Sequence, residues 1–179
     1  VGMDIVIFGI SGHLAEKKLI PVLSHLYEKG ALPVDTHVIG FSRGVKQFDL
    51  PLGYSYIHIA GHYGNVEDFL KLKEMLRPEK KQLFYLALPP EAARATLVSI
   101  STAGLVTKKD PSGTRTILVE KPFGTGLTEA RSLIDFINES FLPEQCLKVD
   151  HYVGKKELRN LDRATIESEI PYIKKVIFE

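Results

Sequence analysis

An α/β fold built on a doubly wound, mostly parallel sheet with helices on both faces is predicted by three observations. Strand-like runs recur at Ile5–Phe8, His37–Ser42, Leu83–Leu88 and Thr116–Val119. Segments with the apolar spacing of amphipathic helices lie between them. The first strand, helix and second strand occupy about forty residues, the size of a right-handed crossover unit.

The stretch IVIFGISGHLAEKK, from Ile5 to Lys18, is the one the rest of the chain serves. Ile5-Val6-Ile7-Phe8 has the length and β-branched content of a buried parallel strand. Gly9 and Gly12 permit a tight turn and close backbone approach, and the helix start beyond them leaves N–H groups that suit a phosphate. The spacing is G-x-x-G and not the full G-x-G-x-x-G, so a phosphate-binding turn and a plain strand-to-helix connection both remain open.

Leu14 to Lys29 reads as a helix with Leu19, Val22, Leu23 and Leu26 as its apolar stripe. Pro21 should kink or break it, and Gly30 is its expected C-cap. Arg43 falls at the end of the second strand, where an arginine can hold a ribose 2′-phosphate; the plainer reading is a solvated loop cation. Strand character resumes at Tyr54–Ala60, and Val66–Leu76 reads as a helix. Pro89-Pro90 closes the strand ending at Leu88 and fixes the backbone where open α/β sheets bind ligands, or else forms a rigid turn. Glu91–Gly104 and Thr128–Phe141 are further helices, the second capped by Thr125 or Thr128.

Between those helices, the strand ending at Val119 delivers Glu120-Lys121-Pro122-Phe123-Gly124. Lys121 is expected near the sheet's C-terminal edge, where its ammonium could meet an oxyanion or phosphate, although a solvated lysine fits the local sequence as well. A short strand at Gln145–Val149 presents Asp150, His151 and Tyr152, followed by Lys155. These could form a cationic anion site with a carboxylate orienter; extended backbone would instead send Asp150 and His151 to opposite faces. A helix at Glu157–Ile166 and a strand at Tyr172–Glu179 end the chain.

Composition narrows the function classes. Lys and Arg number 23 against 22 Asp and Glu, so the chain lacks the basic footprint of a nucleic-acid binder. Cys146 is the single cysteine among 179 residues, which excludes an internal disulfide and a cysteine-cluster metal site. No metal site is expected: His58 and His62 are four apart, but strand character and an intervening glycine deny them a shared helical face. No apolar run reaches the ~18 residues of a membrane span. A soluble, cytoplasmic protein that binds neither membrane nor nucleic acid is the expectation.

Taken together, GISGHLAEKKLIPVLSHLYEKGALP, VIGFSR, LFYLALPP, ILVEKPFG and DHYVGKKELRNL resemble the N-terminal coenzyme domain of the glucose-6-phosphate dehydrogenase family. The resemblance runs from Ile5 to Leu161, and the pairing of EKPFG with DHYVGK carries it. It implies a Rossmann-like dinucleotide domain over residues 3–150, with 151–179 as the truncated start of a β+α substrate domain. It also implies oxidation of glucose 6-phosphate at C1 to 6-phosphoglucono-δ-lactone, with hydride passing to NADP. Gly9, Ser11, Gly12, His13 and Leu14 would then hold the pyrophosphate, Arg43 the 2′-phosphate, and Leu88, Pro89 and Pro90 the wall beside the nicotinamide half. Lys121 would serve substrate, coenzyme and catalysis, with Pro122 as a hinge. His151, Tyr152 and Lys155 would bind the sugar phosphate, and Asp150 would orient the catalytic histidine.

Three departures from the family pattern shape the expectation. His13 stands where the family has aspartate, the connection from Arg43 to Tyr54 is short, and the general-base histidine belongs to a later domain. The chain is therefore expected to be a fragment or shortened relative that binds coenzyme with turnover near background. A non-catalytic nucleotide- or partner-binding module is the alternative, with a second copy or a complementary chain covering the exposed sheet.

Overall fold

The computed structural model describes residues 2–45, 48, 55–109 and 113–149. Its strands are β1 (Met3–Phe8), β2 (Thr36–Ser42), β3 (Ser55–Ala60), β4 (Lys81–Leu86), β5 (Arg115–Glu120) and β6 (Cys146–Val149). The helices are α1 (Ile20–Glu28), α2 (Val66–Met75), α3 (Pro90–Thr102) and α4 (Leu127–Ser140). By contacts the chain divides into Val1–Val149 and Asp150–Glu179, and the first of these holds every described element. Asp150, His151, Tyr152 and Lys155 lie outside the described residues, as do the helix expected at 157–166 and the strand expected at 172–179.

One six-stranded sheet runs in the order β3-β2-β1-β4-β5-β6, and every neighbouring pair is parallel. From β1 the chain moves outward to β2 and β3, returns to β4 and continues the other way. Right-handed crossovers then put α1 on one face and α2, α3 and α4 on the other. The core follows this division. Val6, Phe8, Ile39, Phe41, Phe84, Leu86, Ile117 and Val119 pack against α2, α3 and α4, while Ile5, Ile7 and Val38 pack against Ala15 and Ile20. Alternate residues of β1 thus serve opposite cores, and its apolar run is continuous because both faces are buried.

The segment expected as a helix over Leu14–Lys29, with a kink or break at Pro21, is helical without a gap from residue 13 to residue 28, but it is not α-helical throughout. A π-helical turn, Ala15–Leu19, precedes α1, and Pro21 lies in the first turn of α1. Proline has no N–H to donate, so the wider turn just before it accommodates Pro21 where a regular α-helix would lose a hydrogen bond. The C-cap is Lys29 and the expected Gly30 follows it at φ +66°, with Gly30 N–H donating to Tyr27 O and Ala31 N–H to Leu26 O, each at 2.8 Å.

The end of β4 and the starts of α3 and α4 are also shifted from expectation. Hydrogen-bonded strand stops at Leu86, Pro89 is the N-cap of α3, and Pro90 opens the helix, where its missing N–H costs nothing. For α4 the cap is Gly126, not Thr125 or Thr128. Glu129 explains this: its carboxylate reaches back to accept from the Thr125 N–H at 2.8 Å and from the Thr125 hydroxyl. Thr125 is thereby held one residue ahead of the cap.

Candidate functional site

In a parallel sheet whose strand order reverses between β1 and β4, the crevice beyond their C-terminal ends is where the two halves diverge. Register places Phe8 opposite both Phe41 and Leu86, and Leu86 opposite Val119. The residues that follow, Gly9, Ser42-Arg43, Ala87-Leu88 and Glu120-Lys121, therefore lie along one edge of the sheet. Phe8, Phe41 and Phe69 anchor this edge from beneath, with ring centroids 5.1 to 5.5 Å apart.

Gly9 leaves β1 at φ +82°, and its main chain passes close to β4, so that a Cβ there would lie 2.3 Å from the Ala87 carbonyl oxygen. The turn closes by donation from the Gly12 N–H to Gly9 O at 2.9 Å, and the Glu16 N–H donates to Gly12 O at 3.1 Å as helix begins. This geometry brings backbone N–H groups and a helix start to the mouth of the crevice. A cavity of about 270 Å3 opens there. The first turn contributes Gly9, Ser11 and Gly12, the residue after β2 is Arg43, the β4–α3 connection contributes Ala87, Leu88 and Pro89, and Ala92 and Tyr63 complete the wall.

Six expected coenzyme residues, Gly9, Ser11, Gly12, Arg43, Leu88 and Pro89, thus line one cavity. His13 and Leu14 are not among the lining residues; they continue into the helix start. Pro90 lines a neighbouring cavity of about 310 Å3 together with Glu91, Arg94, Phe123 and Gly124, so the double proline stands between the two. Lys121 lines neither cavity. It is exposed at the end of β5, its N–H donates to Val149 O at 3.3 Å, and the bond to Pro122 is cis.

Tyr63 is the lining residue that sequence reasoning missed. Its hydroxyl ionises less readily than an ordinary tyrosine because it is buried, an effect opposed by the nearby Arg43 charge and by the Gly9 main chain. Its ring packs 6.0 Å from Phe41, and its carbonyl accepts from the Ser99 hydroxyl at 3.0 Å. The side chain therefore joins the glycine turn, the arginine and the core. Its position just past the end of β3, on the same edge as Arg43, is the signal that could have found it.

The Glu120 carboxylate accepts a hydrogen bond from the Tyr85 hydroxyl, whose ionisation burial and this acid both suppress. That contact holds the residue before Lys121 against β4. Among the described residues no group of three or more His, Cys, Asp or Glu is arranged to hold a metal ion.

A family model described as the NAD binding domain of glucose-6-phosphate dehydrogenase matches residues 6–50 and 46–160. The chain belongs to the glucose-6-phosphate dehydrogenase family. It is similar to glucose-6-phosphate 1-dehydrogenases of Kluyveromyces lactis, at 33% identity over 88% of this chain and 37% of that protein, and of Borreliella burgdorferi, at 29% over 88% and 36%. Among solved structures, a glucose-6-phosphate dehydrogenase in complex with its substrate glucose-6-phosphate superposes with a TM-score of 0.72, at 30% identity over 88% of this chain and 38% of that one. A glucose-6-phosphate 1-dehydrogenase from Mycobacterium avium gives 0.69, at 25% identity over 92% and 40%. The chain spans about a third of the length of the curated relatives it matches. What it carries is a glucose-6-phosphate dehydrogenase-like coenzyme-binding domain with a Rossmann-like sheet, the kind of domain that takes a nucleotide cofactor. No helix among the described residues is long and apolar enough to cross a membrane.

Proposed function

We propose that this domain binds NADP in preference to NAD, and that it is the coenzyme half of a dehydrogenase acting on glucose 6-phosphate. The observation that carries the reading is the shared cavity of Gly9, Ser11, Gly12, Arg43 and Tyr63. The space a Cβ would fill at Gly9 is taken by Ala87, so only glycine fits there, and the turn can offer main-chain donors to a pyrophosphate. Arg43 supplies a fixed positive charge one residue beyond β2, the position that reads the adenosine ribose in this fold.

When bound, the coenzyme supplies the hydride acceptor. The chain's own contribution is binding and orientation: Leu88, Pro89 and Pro90 present a stiff wall, and Lys121 sets an ammonium at the end of β5 for an oxygen of the sugar substrate. His151, Tyr152 and Lys155 bind the sugar phosphate in this proposal, and Asp150 orients a base that none of the six histidines of this sequence supplies. Purified protein alone should then bind NADP while producing NADPH only at background rate.

Calorimetric titration tests the reading directly. NADP should bind at least about tenfold more tightly than NAD, and Arg43→Ala should remove that preference while leaving NAD affinity nearly unchanged. Equal weakening of both coenzymes would mean general damage to the loop. Lys121→Ala and Lys155→Ala should each weaken glucose 6-phosphate; unchanged sugar-phosphate affinity would reject their assignment.

A second reading is favoured by one feature of the sheet. Tyr85, Leu118 and Leu147 form a cross-strand row by register, and Leu147 is 47% exposed. A partner-binding module, covered there by a second copy or a complementary chain, would be supported if the protein bound neither coenzyme and sedimented as an assembly.

A further inference from the structure

Ser42, the last residue of β2, is fully buried, and its hydroxyl lies 2.6 Å from the Gly44 carbonyl oxygen and 3.0 Å from His58 Nε2. A carbonyl only accepts, and a serine hydroxyl has one proton to give. That proton goes to Gly44, so Ser42 Oγ accepts from His58 Nε2–H. The neutral ring therefore carries its hydrogen on Nε2, leaving a lone pair on Nδ1. Nδ1 is buried without a hydrogen-bond partner. Burial lowers the proton affinity of the ring and keeps it in this neutral form.

Sheet register makes the contact specific. Gly40 pairs with His58 across β2 and β3, so Ser42 is its diagonal neighbour on the same face. The bond from Ser42 to Gly44 spans a single residue, Arg43. On the other side, the Gly61 N–H donates to Ser42 O at 3.1 Å and pins the start of the same turn to the end of β3. An arginine has many rotamers to lose on binding, and the turn from which it springs decides how many reach the cavity. A buried nitrogen left without a partner is unfavourable, and here it is offset by what the opposite nitrogen holds.

We propose that His58 is a positioning residue for coenzyme selectivity, acting through Ser42 to hold the turn that presents Arg43 to the 2′-phosphate. This rests on Arg43 being the group that reads that phosphate.

The 179-residue chain would be titrated calorimetrically with NADP, NAD and the fragment 2′,5′-ADP, as wild type and as His58→Phe, Ser42→Ala, the double variant and His58→Gln. His58→Phe and Ser42→Ala should each weaken NADP and 2′,5′-ADP roughly five- to tenfold and NAD by less than about twofold. The double variant should be no weaker than the worse single one, because both break one relay. His58→Gln, whose amide can donate to Ser42, should recover most of the loss. Equal losses for NADP and NAD, or single effects that multiply, would overturn the relay. Imidazole nitrogen resonances of the wild type give an answer independent of any variant's folding: a ring protonated on Nδ1 overturns it, and one protonated on Nε2 supports it. Should Arg43→Ala leave the NADP preference intact, both the relay and the reading of Arg43 fall. Should Arg43→Ala abolish the preference while His58→Phe retains it, only the relay falls.

Discussion

The Ala87 carbonyl oxygen occupies the space beside Gly9 into which a side chain would have to grow, 2.3 Å from an ideal Cβ. Both main chains are held there, Gly9 N–H donating to Phe41 O at 2.9 Å and Ala87 N–H to Phe8 O at 3.0 Å. Gly9→Ala therefore combines a left-handed φ with a backbone clash that no rotamer relieves, and should cost about 3 kcal/mol in urea denaturation and abolish coenzyme binding. Gly12 is a gentler case, since its Cβ would meet only the Gly9 carbonyl oxygen, at 3.1 Å. Gly12→Ala should lose less than half as much stability. If the two variants proved equally stable, the close approach of β1 to the β4 end would be wrong.

Tyr63 offers a test of the cavity that does not depend on the glycine turn. Its hydroxyl faces Gly9 and Arg43 while its ring packs on Phe41, so the two parts separate by mutation. Tyr63→Phe keeps the ring and should weaken coenzyme by roughly threefold to tenfold with thermal stability nearly unchanged. Tyr63→Ala should add a loss of stability of about 2 kcal/mol from the vacated packing. Normal coenzyme affinity in Tyr63→Phe would place the hydroxyl outside the binding surface.

Much of this architecture is legible in the sequence because both of its signals are local. A parallel strand buried on two faces needs a continuous apolar run, and Ile5–Phe8 is one; Arg43 and Lys121 can be placed at strand ends by counting from such runs. Tyr63 could not be picked out, because a single tyrosine in a polar stretch after β3 carries no periodicity and gains meaning only when β3 is known to lie beside β2. The Ser42–His58 contact has the same origin: it is a diagonal across two strands, fixed by register. At α4 two threonines offered plausible caps, and the choice went to Gly126 because the Glu129 carboxylate engages Thr125 instead, a competition between side chains that propensity alone does not resolve. The sugar-phosphate residues expected at Asp150, His151, Tyr152 and Lys155 stay sequence-based, since they lie outside the described residues.

At the edge of the sheet opposite the cleft, Asp4 is fully buried at the start of β1. Its carboxylate accepts from the Arg77 main-chain N–H and from Arg77 Nε, each at 2.8 Å, and Arg77 Nη2 lies 2.6 Å away. Arg77 also bridges to Asp35, whose carboxyl is held below its usual range by Lys80 first and then by Arg77. Breaking one partner of a buried pair strands the other, so Asp4→Ala should destabilise the chain by about 3 kcal/mol. Because the cluster is a strand length from the cavity, the ratio of NADP to NAD affinity should not move. A changed ratio at unchanged fold would show that the two sheet edges are coupled.

Acid should remove the stabilisation supplied by the carboxylate that anchors the start of α2. Asp68 Oδ2 accepts from the His62 main-chain N–H at 3.0 Å and from Asn65 Nδ2 at 3.2 Å, and Oδ1 accepts from Lys71 Nζ at 3.2 Å. The His62 bond is the leading cause that holds this carboxyl below its ordinary value of 3.8, with Lys71 and Asn65 adding to it against the opposing effect of burial. A folded-state value below the unfolded one means the stabilisation is complete above the unfolded value and disappears as pH falls through the folded one. Asp68→Asn should accordingly cost about 1 kcal/mol at pH 7, and the gap to wild type should close as the pH is taken below about 4. Salt should change the gap little, because the Lys71 ammonium is exposed and the main-chain bond dominates. Urea denaturation at pH 7, 5 and 3 measures it; a gap that stays constant across that range would assign Asp68 to packing and not to charge.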